Sequence, residues 1–173
     1  MSAMGTTPGA AIRNAPAANA RAAILWGGLL AGLGDITQAF VAFGVQFHIS
    51  PFRILQSITR GFFGARAFQM GWTSAALGLA VHFFIAFTAA AVYCWFYKIA
   101  GGRLRALTVH AVLCGLLYGE LVFLVMYFVV MPLTPIGWPR MNLANWLTGP
   151  LGHPLLVGLP IALCVRRFGG RSF

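Results

Sequence analysis

Apolar residues run almost unbroken through four long stretches of the chain, at 22–45, 70–97, 106–131 and 146–165, and polar residues gather between them. A helix rises about 1.5 Å per residue, so about 20 residues cross a hydrocarbon core about 30 Å thick. Each stretch meets that length, and the pattern predicts four transmembrane helices. The segment after the first stretch reads differently. Ser50 and Pro51 form an N-cap followed by a first-turn proline. Arg53, Gln56, Ser57 and Arg60 then fall on one helical face, with Ile54, Leu55, Ile58 and Phe62 opposite. This predicts an amphipathic helix over 51–63, interfacial or re-entrant, ending near Gly61–Gly64. The expected fold class is therefore an all-α integral membrane protein with four transmembrane helices and one interfacial or re-entrant amphipathic helix.

The remaining segments fit around these spans. Residues 1–21 are rich in Ala, Gly, Asn and Pro and contain Arg13 and Arg21, which reads as a flexible basic tail. The first apolar run is too long for a signal-peptide core of about 7–15 residues and lacks a small-residue cleavage site, so it is an uncleaved span. Pro132, Pro135 and Pro139 interrupt helix after the third span, and Pro150, Pro154 and Pro160 predict a kinked or partly unwound fourth span around His153. Residues 22–167 make a single membrane domain and 168–173 a basic cytoplasmic tail. Trp26 and Trp95 fall at one set of span ends, and Trp72, Trp138 and Trp146 at the other, as interfacial belts require.

Composition narrows the class. Of the 173 residues 60% are hydrophobic and 8% charged, against about 25% charged in soluble domains. Mean hydropathy is +0.82. A net charge of +10 would fit nucleic acid, but the cations avoid the apolar runs and cluster just outside them. That placement selects membrane topology and anionic lipid headgroups as partners and excludes nucleic acid. With the N-terminus inside, eight Lys and Arg face the cytoplasm and Arg53, Arg60, Arg66 and Arg140 lie outside. Both termini are therefore expected in the cytoplasm. Cys94, Cys114 and Cys164 have no ligand spacing and read as free, packed thiols.

Against this apolar background four polar residues stand out: Asp35, His82, Glu120 and His153. Asp35 and Glu120 are the only two acids in the chain. Counted from the cytoplasmic span ends at 1.5 Å per residue, the four lie about 18–22 Å deep, so they form one expected intramembrane layer. An ionised group there costs about 2.5–3.5 kcal/mol if it faces lipid, so the four should face the bundle interior and pair. Arg60 or Arg66 could serve as a charge partner. Gly28, Gly32, Gly78, Gly115 and Gly119 form small-residue faces for close helix packing.

Several chemistries fit such a layer. It could be a structural hydrogen-bond network between helices or a proton- or cation-handling site. It could also hold a Zn, Fe or Mn ion, with His82, His153, Asp35 and Glu120 as ligands. No local ligand spacing supports the metal, and haem would need His82 and His153 to face each other across a large cavity. No cofactor is predicted, and no nucleophile–His–acid set or phosphate-binding loop is present, so the chain is expected not to be an enzyme.

Short segments carry a resemblance. Gly32–Asp35, His82–Phe83 with Ile85–Phe87 and Val92–Tyr93, Tyr118–Gly119, Val130–Leu133, and His153 followed by Gly158–Ala162 resemble a group of small four-span bacterial inner-membrane proteins, YagU-like proteins among them. The resemblance covers about residues 22–167 and implies location and architecture, with no site residues to carry over. The expected function is a non-enzymatic inner-membrane protein, an accessory or assembly subunit of a larger complex, forming homo-oligomers or joining other subunits. A small proton or cation transporter or channel built on the Asp/His/Glu layer is the first alternative, and an intramembrane metal-binding protein the second.

Overall fold

A computed structural model describes residues 19–99, 109–138 and 140–168. The tail up to residue 18, the basic turn with Arg103 and Arg105, Pro139 and the last five residues lie outside these. Five helices make up the described chain, and no strand occurs in it. Helix α1 is Ala20–Phe47, α2 is Pro51–Phe63, α3 is Gly71–Ile99, α4 is Ala111–Leu133 and α5 is Leu143–Phe168. All but α2 are long and apolar enough to cross a membrane. The protein is a multi-span membrane protein.

Local chemistry sets the ends. Asn19 caps α1 by accepting from Ala22 N at 3.0 Å, so Arg21 belongs to the first helical turn and not to the tail. His48, in the left-handed region at φ 55°, closes α1 with its N–H on Gly44 O. Ser50 caps α2 through Arg53 N at 3.3 Å, and Gly64 at φ 56° ends it, leading into a 3₁₀ turn over Gly64–Gln69. Asn142 accepts from Asn145 N at 2.9 Å. That cap starts α5 at Leu143, earlier than the apolar pattern predicts, because Asn145 inside the first turn interrupts that pattern.

Two spans depart from regular α-winding. In α4, the α-helix Ala111–Val125 continues through a π turn, Met126–Val130, and a 3₁₀ turn, Met131–Leu133, where Pro132 stands at a first-turn position and so does not end the helix. In α5, residues Leu147–Gly158 are wound as a π-helix around Pro150 and Pro154, and the α form resumes at Leu159. The expected break at His153 is thus a wide winding. Proline lacks the N–H that an i to i−4 bond needs, and longer-range bonds from other residues carry the helix past it.

Packing follows the small residues. The close pairs are α1 with α3, α1 with α5, α4 with α5, and α2 with α3. Gly28 and Gly32 receive the Phe87 and Phe83 rings of α3, and a Cβ at Gly78 would overlap the Leu55 carbonyl of α2. Gly115 and Gly119 lie backbone to backbone against His153–Leu159 of α5. Without a hydrophobic driving force between helices in lipid, such close contact supplies the packing energy. Both Gly-x-x-x-Gly faces are therefore occupied within the chain. At one end Asn19 N donates to Phe168 O at 2.8 Å, so the two ends of the described chain meet on one side.

The amphipathic segment is packed on protein. Gln56 Nε2 donates to Gly71 O at 3.2 Å and Thr59 Oγ1 to Ser74 O at 2.7 Å. Gln56 and Thr59 are fully buried, while Phe62 and Phe63 face outward. Side-chain polarity along α2 therefore does not map onto inside and outside. Its polar atoms seek the carbonyls at the start of α3, and its phenylalanines turn to the surroundings.

Candidate functional site: a cavity between the spans

Helices α3 and α4 do not pack closely along their backbones; Tyr118 Oη bridges them by donating to Ala89 O at 2.7 Å. Beyond that bridge, toward α2, the bundle opens into a cavity of about 220 Å³. Asp35 of α1, His82 of α3 and His153 of α5 line it, together with Met126 and Met131 of α4 and Ile58 of α2. Asp35 lies 12 residues, about 18 Å, from the end of α1, and His82 lies 11 residues, about 17 Å, from the start of α3. The cavity therefore lies near the middle of these helices, with Ile58 of α2 at its edge.

Both imidazoles are oriented by the backbone. His82 Nε2 lies 2.8 Å from Gly32 O, and His153 Nδ1 lies 2.6 Å from Thr148 O. A carbonyl only accepts, so each of these nitrogens carries the proton. That leaves His82 Nδ1 and His153 Nε2 with free lone pairs in the neutral rings. The Thr148 contact exists because the π winding sets that carbonyl five residues before the ring that reaches it. Phe123 lies against His153 at 5.7 Å between ring centroids.

Asp35 approaches His153 Nδ1 at 3.9 Å. That nitrogen donates to Thr148 instead, so the pair is a close polar contact without a hydrogen bond. Asp35 is part-buried in the bundle and has no hydrogen bond to any described residue. Gln38, one turn further along α1, donates through Nε2 to Leu147 O at 2.5 Å, so a second polar side chain of this face ties α1 to α5.

Three members of the expected layer share the cavity, and Glu120 does not line it. Glu120 is half-buried, and no described residue pairs with it. Arg60, half-buried, and Arg66, exposed, form no ion pair among the described residues. Nor do three or more His, Cys, Asp or Glu side chains converge on a metal-binding position among them. Cys94, Cys114 and Cys164 form no disulfide among the described residues. The residues that sequence reasoning did not single out are Met126, Met131 and Ile58, because their approach to the cavity depends on the π turn of α4 and on the docking of α2.

Compared with protein-family models, curated proteins and solved structures, the chain matches none.

Proposed function

We propose that this protein handles protons or small cations at the cavity bounded by Asp35, His82 and His153, as a small transporter or channel of the bacterial inner membrane with both termini cytoplasmic. One observation carries the reading: three titratable residues from three spans line one cavity near the middle of those helices. Ionisable groups at that depth are costly and mark ion or proton paths. A purely structural role accounts for His82, which ties α3 to the α1 backbone. It does not account for Asp35, which holds no hydrogen bond to any described residue. An accessory-subunit role would draw on the Gly-x-x-x-Gly faces, which pack inside the chain.

The test is reconstitution of the purified protein in liposomes carrying a pH-sensitive dye. Wild type should pass a pH-dependent flux, Asp35→Asn should abolish it, and Glu120→Gln should leave it intact. Unchanged flux in Asp35→Asn would overturn the proposal.

A further inference from the structure

The cavity holds two donors that a proton site does not use, the thioethers of Met126 and Met131. Five residues apart on a regular α-helix, they would point about 140° away from each other. The π turn narrows that angle: Met131 N–H bonds to Met126 O, five residues back, and both residues line the cavity. Wide turns of this kind recur at functional sites.

The residues lining the cavity thus carry two thioethers, two imidazoles and one carboxylate. Each imidazole gives one N–H to a backbone carbonyl, Gly32 or Thr148. That is how proteins fix the tautomer and ring orientation of a metal-ligating histidine. The nitrogen and oxygen donors do not form a metal set by themselves, and the thioethers are the further side-chain donors in the lining. Thioethers are poor ligands for Zn, Mn or Mg and good ligands for Cu(I). A hard cation would find a single side-chain oxygen donor, Asp35. A monovalent ion is also the one that Asp35 alone neutralises, leaving no net charge in the membrane interior.

The geometry points to a soft monovalent metal ion, Cu(I), as the cation of this cavity, bound by Met126 and Met131 with His82 Nδ1 and His153 Nε2 and balanced by Asp35. This rests on the cation-handling reading above and names its cation.

The experiment presents Cu(I) as a coloured chelate, without oxygen, to the full-length protein in detergent. Cys94, Cys114 and Cys164 are replaced by alanine so that thiols do not compete. Transfer is read as loss of the chelate colour. The expected result is one Cu(I) per chain, lost in Met126→Leu/Met131→Leu, whose volume and apolarity keep the wall packed. In His82→Phe binding should weaken. Absence of transfer to the parent protein, or transfer undiminished in the double leucine variant, overturns the inference. The proton-flux assay separates the two readings. If Asp35→Asn abolishes flux and no Cu(I) binds, the soft-metal site falls and the proton site stands. If methionine-dependent Cu(I) binding occurs without proton flux, the metal site stands alone.

Discussion

Gly119 and Glu120 are neighbours in sequence and meet different surroundings. A Cβ at Gly119 would overlap the His153 carbonyl of α5, while Glu120, about 100° further round the helix, misses the cavity. A count of residues along a span estimates depth, and it put Asp35, His82, Glu120 and His153 at one expected level. It carries no information about which way each helix is turned, which is why Glu120 joined the expected layer. The same scale yields a stability prediction. A Cβ at Gly158 would strike the Gly115 carbonyl and the Gly119 amide, both main-chain atoms that cannot swing aside. Gly158→Ala should therefore destabilise the protein by about 1–3 kcal/mol. Gly44, also helical but with nothing nearer than 3.7 Å, should accept alanine with a gain of about 0.5–1 kcal/mol. Thermal unfolding in detergent compares the two, and equal midpoints would refute the packing argument.

Among the elements, α5 departs furthest from what propensity alone predicts. Three prolines in a span point to a break, yet neighbouring side chains and wider bonds keep it a helix. Gln38 reaches Leu147 O, His153 reaches Thr148 O, and Ala144 N donates to Gln46 Oε1 at 2.5 Å. In lipid such backbone groups must find partners inside the protein, because no water is there to serve them. The winding also sets the azimuth of His153. Restoring two N–H donors with Pro150→Ala/Pro154→Ala should let the segment rewind toward α and turn His153 from Asp35. Flux should fall while the protein stays folded by circular dichroism; full flux would show that the π winding does not set the site. For α2, the sequence disclosed the helix, its cap and its end. It could not disclose that Gln56 and Thr59 would be buried against α3, since that depends on the space Gly78 leaves for the Leu55 carbonyl.

At the scale of the whole molecule, an even number of crossings brings both ends to one side, consistent with the Asn19–Phe168 hydrogen bond. The proposed placement of that side in the cytoplasm rests on the distribution of Lys and Arg. Single cysteines placed at Arg140 and at Arg166 in a cysteine-free background should react oppositely with a membrane-impermeant maleimide. Arg140→Cys should label in intact cells and Arg166→Cys only after lysis, and the reverse pattern would invert the topology. The exposed tryptophans fit the same frame, with Trp72, Trp138 and Trp146 toward one membrane face and Trp26 and Trp95 toward the other.

The sequence by itself determined that this is a four-span helical membrane protein, where its helices run to within a few residues, and which polar residues are expected at one depth. These follow from local properties: apolar length against bilayer thickness, caps, and rise per residue. Tertiary structure alone decided which of those residues face one another. It turned Asp35, His82 and His153 into one cavity, left Glu120 outside it, and brought Met126 and Met131 in. Helix azimuth is set by backbone contacts between glycines and by the wide winding of α4 and α5, and both depend on partners distant in the chain.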